Sequence, residues 1–188
     1  SPNLIELTIN QETVEAVAQI TKSGHVFLFH RETGKPVFPI EERPFPPSDL
    51  KEEEAWPTQP TPTIPPPFAR QQLNPGDITQ ISPESNTLMS AKLKSVRSGG
   101  QFVPPSAAGT VIFPGFDGGG EWGGAAWDPA TEWLYVNANE MPWILTMVES
   151  GKDISTADIS SGKLLYRRLC ATCHGMDQEG DPQKTFPA

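Results

Sequence analysis

Proline and glycine punctuate this sequence from end to end. The chain has 21 prolines and 16 glycines, about a fifth of its 188 residues and roughly twice the average usage. Proline removes a helix hydrogen bond and interior glycine weakens a helix, so this usage argues against helix bundles and coiled coils. The sequence therefore predicts a mainly β or irregular protein.

Short β-branched segments separated by turns occupy the N-terminal part of the chain. Residues 4–9 (LIELTI) and 13–20 (TVEAVAQI) flank a polar NQE turn, a pattern typical of a hairpin. HVFLFH at 25–30 and KPVFPI at 35–40 follow the turns TKSG and RETG and predict a third and a fourth strand. We expect the four strands to form one antiparallel sheet, and radial repetition of such sheets in a propeller would protect their edges.

The strand pattern stops in a proline-rich stretch. Nine prolines fall between residues 41 and 67, where they remove backbone donors and fix φ. The sequence therefore predicts an extended loop through which no β ladder runs. A short helix is expected around 87–94. A second sheet-like unit is predicted from the strand-like segments GTVIFP (109–114), EWLYVNA (132–138) and PWILTMV (142–148).

Charge and hydropathy narrow the function classes. The formal charge is -9 and the chain has no Lys/Arg cluster, which argues against nucleic acid as a partner because phosphate binding needs concentrated positive charge. No apolar run approaches the roughly 20 residues that span a bilayer. The first residues, SPNLIELTI, do not resemble a signal peptide. We expect the chain to be a fragment of a longer protein without a membrane segment of its own.

The most specific motif is Cys170-Ala-Thr-Cys173-His174, which contains both cysteines of the chain. Residues 161–173 have helical apolar spacing, with Ser160 or Ser161 available as N-cap. Two thiols one helical turn apart can form thioethers to a porphyrin, and the adjacent imidazole can ligate the iron, so the motif indicates haem c attachment. A redox dithiol or half of a zinc site are the alternatives, but the βαβ context and the second ligand pair that they require are missing.

The segment LCATCHGMDQEGD resembles the start of a monohaem cytochrome c domain, over roughly residues 158–188. The resemblance implies a periplasmic or otherwise exported location, because haem c is attached outside the cytoplasm. The distal iron ligand is not visible in the sequence, since Met176 lies too close to His174 to reach the opposite face. We place the domain boundary between residues 1–152 and 153–188, the latter being the N-terminal part of the cytochrome domain.

Three phrases resemble, in order, the C-terminal half of a quinoprotein dehydrogenase. They are AVAQITKSGHVFLFHRETGKPVFPIEERPFP, WPTQPTP and GTVIFPGFDGGGEWGGAAWDPATEWLYVNANEMPW. The resemblance is to the group similar to membrane-type glucose dehydrogenase, which uses pyrroloquinoline quinone (PQQ), and it covers about residues 2–148. It implies an eight-bladed β-propeller of four-stranded antiparallel blades, with PQQ and a divalent metal, Ca²⁺ or Mg²⁺, near the axis.

The resemblance also implies roles for two residues. Lys22 matches the family's lysine that hydrogen-bonds the quinone oxygens, where an ammonium stabilises developing negative charge. Asn137 matches the asparagine that faces PQQ and the metal, and its oxygen suits a hard cation. As alternatives, Lys22 is an exposed lysine in a polar turn and Asn137 a strand-terminating residue. The general-base aspartate is expected upstream of Ser1. Four tryptophans are expected to pack between blades: Trp122, Trp127, Trp133 and Trp143.

Together these resemblances imply the oxidation of a sugar or an alcohol, with electrons passing through haem c to an external acceptor, a cytochrome or a quinone. The fragment alone is expected to be inactive. Two alternatives stay open. One is an electron-transfer cytochrome c with a non-catalytic β-propeller docking region, and the other is a propeller without cofactor that acts as an interaction scaffold.

Overall fold

A computed structural model of the chain describes residues 1–51, 53–148 and 161–176. The chain divides into two compact units, Ser1–Val148 and Glu149–Ala188, and each is described by itself. Among the described residues, no helix combines the length and the apolar character needed to cross a membrane.

The first sheet is antiparallel and has three strands in sequence order. They are β1 (Asn3–Ile9), β2 (Glu12–Ile20) and β3 (Val26–His30), which confirms the first three predicted strands. The β1–β2 turn places both Asn10 and Gln11 at positive φ, the backbone of a tight hairpin whose twist matches its strands.

The prediction of a fourth strand at residues 35–40 is wrong. This segment makes only an isolated bridge between Phe29 and Pro36, and the amide of Val37 donates to the carbonyl of Leu28 over 2.9 Å. Pro36 is compatible with this bridge, because the flanking amides of Val37 and His30 make its hydrogen bonds. Continued in the same register, Pro39 would fall at a hydrogen-bonded position, where its missing N–H would break the ladder. The predicted four-stranded sheet therefore has three strands.

The proline-rich stretch does contain a ladder, contrary to the prediction. β4 (Ile40–Pro44) pairs antiparallel with β5 (Thr58–Pro62), in a register that sets Ile40 opposite Pro62, Glu42 opposite Pro60 and Pro44 opposite Thr58. These three pairs share one parity, and alternate pairs in an antiparallel ladder exchange no hydrogen bonds. All three prolines therefore occupy positions where the ladder needs no N–H. Both strands of this two-stranded sheet are edge strands, where proline is tolerated.

A helix and two further ladders complete the first unit. α1 (Pro83–Ser95) confirms the helix expected around 87–94, and Ser82 caps it by accepting a 3.1 Å hydrogen bond from the amide of Ser85. The second sheet-like unit consists of two separate antiparallel pairs. Their strands are β6 (Thr110–Ile112) with β9 (Trp143–Leu145), and β7 (Gly120–Asp128) with β8 (Trp133–Ala138).

The hydrophobic core lies between the first sheet and the β7–β8 hairpin. Its buried members are Ile5, Ala16, Ala18, Ile20 and Val26, and against them pack side chains of β7 and β8 such as Trp127 and Val136. The Asn3 side chain ties the two layers together by donating to the carbonyl of Ala125 over 2.8 Å. Because small alanines alternate with larger residues on β2, the two layers can approach closely.

The four tryptophans differ in their burial within this chain. Trp122 is 95% and Trp133 65% exposed, so their packing between blades stays a prediction. Trp127 lies against the core. The indole of Trp143 donates to Asp117 over 2.9 Å and meets the Phe116 ring edge to face.

The C-terminal unit is described only over 161–176. α2 (Ser161–Leu169) and α3 (Ala171–His174) form the predicted helix, with an interruption at Cys170. The backbone remains hydrogen-bonded across the interruption, since the amide of Cys170 donates to Tyr166 and the amide of His174 donates to Cys170. The possible N-cap Ser160 and the predicted boundary at 152/153 lie outside the described residues.

Candidate functional site

A tight turn after β2 carries Lys22. The amide of Thr21 donates to the carbonyl of His25 and the amide of Gly24 donates to Thr21, both over 3.0 Å. Gly24 has φ +77°, and a Cβ there would lie 2.8 Å from the Cβ of Ala69. Only glycine fits this position without strain, so the sequence TKSG encodes the turn.

Neighbouring segments hold this turn in place. The side chains of Gln71 and Gln101 both donate to the carbonyl of Ser23. On the other side, the amide of Gly119 donates to the carbonyl of Lys22 over 2.6 Å. Lys22 therefore sits on a backbone that three different segments fix, although its side chain is mostly exposed.

The ammonium of Lys22 has two partners. Nζ donates to the carbonyl of Phe116 over 2.9 Å and lies 2.7 Å from Oε1 of Glu121, the residue that follows Gly120 at the start of β7. An ammonium has three N–H donors. These two contacts leave one donor for a ligand, and the side chain is 64% exposed, so a ligand can reach it.

A cavity of about 190 Å³ lies beside this turn. Lys22 and Ser23 line it together with residues 100–103 and 111–115. Lys22 is the only cationic residue among those that line it, and the others are neutral, with polar side chains at Ser23 and Gln101 and mostly apolar side chains elsewhere. The cavity therefore provides a partly apolar space next to a single positive charge, a setting suited to a flat anionic ligand.

Asn137 approaches the same stretch of β7 from the other strand of the hairpin. The β7–β8 register jumps from Gly120↔Ala138 to Ala125↔Val136, so Asn137 lies opposite a bulge in β7. Its Nδ2 is 3.8 Å from the place where a Cβ on Gly123 would lie. Lys22 thus contacts residue 121 and Asn137 lies near residue 123 of the same bulged segment. Bulges commonly change the direction of side chains at functional sites.

A network around Arg70 fixes the segment that follows β8. Its amide donates to Oε1 of Glu140 over 2.7 Å and its Nε to Oε2 over 2.6 Å. A second branch runs from Nη1 to Asp77 over 2.7 Å. The hydrogen bonds from Arg70 hold the pKa of the Glu140 carboxyl below its usual range. We assign this network a structural role.

His25 is a nearly buried histidine directly beneath the Lys22 turn. Its Nδ1 lies 3.3 Å from Oγ of Ser23, and its side chain belongs to the buried interior. Burial lowers the pKa of the imidazole. A hydrogen bond with the Ser23 backbone raises this pKa, and the positive charge of Arg43 lowers it. The imidazole therefore favours its neutral form.

Cys170, Cys173 and His174 lie in a short, hydrogen-bonded helical segment. Cys170 and Cys173 are free thiols, the first exposed and the second partly exposed. The amide of Cys173 donates to the carbonyl of Cys170 over 3.1 Å, so the two residues lie within one turn. Tyr166 braces the end of α3 by donating from its hydroxyl to the carbonyl of Gly175 over 2.9 Å.

Across the described ranges, no group of three or more His, Cys, Asp or Glu side chains comes together to hold a metal ion. Sequence reasoning also missed one residue of the site, Glu121. No local pattern indicates that the carboxylate pairs with Lys22, because the two residues are far apart in the chain.

Comparison with known proteins defines the class. A family profile described as the PQQ glucose/ethanol/alcohol dehydrogenase β-propeller domain matches residues 1–179. The chain is 35% identical over 133 residues to the glycerol dehydrogenase large subunit of Gluconobacter thailandicus, covering 70% of this chain and 18% of that protein. It is 34% identical over 153 residues to the quinoprotein glucose dehydrogenase of Gluconobacter oxydans (strain 621H), covering 80% and 19%. No solved structure gives a significant match.

The mainly β fold and these similarities define a part of a quinoprotein β-propeller. The chain belongs to the PQQ-dependent glucose/ethanol/alcohol dehydrogenase family, as the resemblance predicted. It spans about a fifth of the length of the curated relatives that it matches. The matched range includes Cys170–His174, so a separate cytochrome domain from residue 153 onward stays a prediction.

The residues around Lys22 fit PQQ as a ligand. The quinone carries carboxylates and carbonyl oxygens on a flat ring system, and the site offers one ammonium with a donor to spare beside a partly apolar cavity. The exposed carboxamide of Asn137 fits a metal-bound cofactor, because its oxygen can ligate a hard cation. The accessible thiols of Cys170 and Cys173 fit thioether formation to haem.

Proposed function

We propose that the full protein is an exported, PQQ-dependent dehydrogenase that oxidises a sugar or an alcohol and passes the electrons through haem c. This chain contributes part of an eight-bladed propeller and the haem attachment motif. One observation carries the proposal: Lys22 presents an accessible ammonium beside a cavity, in a chain that belongs to a PQQ-dependent family.

Lys22 has the central role in cofactor binding. When bound, PQQ supplies the hydride acceptor that amino-acid side chains lack. The remaining N–H of Lys22 would donate to a quinone oxygen of bound PQQ, and the positive charge of the ammonium would stabilise negative charge on that oxygen. Gln71, Gln101 and Gly119 fix the backbone of the turn, so little rearrangement is needed for this interaction.

Asn137 is proposed as a ligand of the divalent metal, Ca²⁺ or Mg²⁺, that accompanies PQQ. Its carboxamide oxygen suits either ion, and its NH₂ can instead donate to the cofactor. The proton of the substrate hydroxyl goes to an aspartate upstream of Ser1, which this chain does not contain. Catalysis therefore requires the complete propeller.

The C-terminal unit is proposed to carry the electrons out. The thiols of Cys170 and Cys173 would hold a haem by adding across its two vinyl groups to form thioethers, and His174 would supply a ligand to its iron, which would provide one-electron chemistry. The electrons leave for an external acceptor, a cytochrome or a quinone. The proposed location outside the cytoplasm follows from the requirement of haem c attachment.

The test uses the purified full-length protein and follows the haem absorption spectrum. Sugars and alcohols are offered as reductants, with and without PQQ and Ca²⁺. The proposal expects haem reduction only when PQQ, metal and a suitable substrate are all present. Haem reduction that is indifferent to PQQ would favour an electron-transfer cytochrome with a non-catalytic propeller. Absence of covalent haem would overturn the electron path, and absence of PQQ binding would overturn the dehydrogenase itself.

A further inference from the structure

Glu121 is the carboxylate that contacts Lys22, and the family resemblance assigned it no role. Oε1 lies 2.7 Å from Nζ of Lys22, and the side chain is only 33% exposed. Glu121 also begins the β7 bulge against which Asn137 lies. A negative charge therefore lies next to Lys22, in the same bulged segment of β7 that Asn137 faces.

The position of Glu121 is set by the backbone. The amides of Gly119 and Gly120 donate to the carbonyls of Lys22 and Thr21, over 2.6 Å and 3.1 Å. These bonds fix the start of β7 against the Lys22 turn. The backbone that precedes Glu121 is thus fixed against the backbone of the Lys22 turn, which places the carboxylate within reach of the ammonium.

This pairing has an electrostatic cost for an anionic ligand. PQQ carries three carboxylates, and an isolated lysine would attract it strongly. With Glu121 alongside, the local charge of the pair is close to zero, and the carboxylate repels the ligand at short range. Charges a few ångströms apart at a protein surface still interact appreciably, whereas charges beyond the Debye length of about 10 Å are screened.

We infer that Glu121 is a further residue of the cofactor site. Its carboxylate orients the ammonium of Lys22 and limits the affinity for PQQ, because it neutralises the positive charge of that ammonium. This inference rests on the proposed function. The hydrogen bond to Glu121 fixes the direction of the ammonium, while the carboxylate keeps PQQ binding weaker than Lys22 alone would make it. Glutamine at this position keeps an oxygen acceptor for Lys22 but removes the charge.

The experiment measures the dissociation constant of PQQ by calorimetry, using the full-length apoprotein with saturating Ca²⁺. Glu121→Gln is expected to bind PQQ about three- to tenfold more tightly than the wild type at low salt. The gain should shrink as salt is added. Glu121→Asp, which retains the charge, should show no gain.

Glu15→Gln is the matched control. Glu15 also forms an ion pair with an arginine, Arg31, and is similarly part-exposed. It precedes Lys22 by seven residues along the chain, a span of about 20 Å for extended backbone, so its charge is screened from the site. This variant changes the net charge by the same amount and should bind PQQ as the wild type does.

The outcomes separate the two proposals. Unchanged or weaker PQQ binding by Glu121→Gln overturns the inference, as does an equal gain in Glu121→Asp or Glu15→Gln. In those cases the proposed function stands if Lys22→Met still weakens binding in the wild-type background. A wild-type protein that binds no PQQ overturns the proposed function, and the inference falls with it.

Discussion

Gly118 lies so close to Lys22 that a methyl group on it would collide with the lysine. A Cβ at this position would be 2.6 Å from Cγ and 2.9 Å from Cα of Lys22, and Gly118 has φ +78°. Position 118 therefore requires glycine for two reasons. Its backbone is left-handed, and a Cβ would occupy the space of the lysine side chain. The position of the proposed cofactor-binding ammonium depends on this glycine.

Gly118→Ala is expected to weaken both stability and PQQ binding. The left-handed backbone alone should cost about 1–2 kcal/mol in the free energy of unfolding, and the Cβ must displace Lys22. Gly34→Ala is the control, because Gly34 has φ +68° but nothing within 4 Å of an added Cβ. Thermal unfolding and PQQ titration of both full-length variants should show that only Gly118→Ala loses affinity. Equal affinities would contradict the placement of Lys22.

Lys22→Met is expected to weaken PQQ binding by about ten- to a hundredfold, since a hydrogen bond to a charged group contributes about 1.5–3 kcal/mol. Methionine keeps the length of the stem and removes the charge. The control is Lys35→Met, because Lys35 is exposed in the turn after β3. Equilibrium titration with PQQ gives both values. An affinity unchanged by Lys22→Met would leave the lysine as an ordinary surface residue.

Cys170→Ser and Cys173→Ser should each reduce covalent haem attachment, because each removes one thioether. The double variant should abolish it. The measurement is haem-stained electrophoresis of the exported full-length protein, together with the pyridine haemochrome spectrum, which distinguishes one thioether from two. Wild-type haem content in the double variant would refute the assignment of the motif.

His25 should make the fold less stable in mild acid. Its lowered pKa means that the unfolded imidazole takes up a proton below about pH 6.5, the ordinary value, while the folded imidazole stays neutral. This contribution to stability is complete above that pH and is lost as the pH falls through the folded pKa. Thermal unfolding of His25→Gln between pH 7.5 and 5.5 should therefore show a smaller loss than the wild type. His30→Gln serves as control and should retain the wild-type response.

Local patterns predicted the elements whose formation needs few distant contacts. The alternation in LIELTI and TVEAVAQI predicted β1 and β2, and the helical spacing around Leu164 and Leu165 predicted α2. The tight CATCH spacing identified a candidate haem site because all of its chemistry lies within one turn. In these cases the period of the side chains alone determines the face that is buried or presented.

The effect of a proline on a ladder depends on the register of the strand that carries it. The prolines of residues 41–67 predict no ladder, yet β4 and β5 pair there, with Pro44, Pro60 and Pro62 at positions that need no N–H. Pro36 likewise fits opposite Phe29, because the amides of Val37 and His30 make the flanking hydrogen bonds. Continued in that register, Pro39 would fall at a hydrogen-bonded position, and the sequence does not specify the register.

The sequence by itself determined the lysine turn and the Cys170–His174 motif, since each is written in residues close together in the chain, and the ordered phrases over residues 2–148 predicted the class of protein by resemblance. Only the tertiary structure decided that Glu121 pairs with Lys22, and that the β7 bulge brings Asn137 to the same segment. Contacts between distant residues depend on strand register and on how layers pack, and neither quantity leaves a local signal in the order of the amino acids.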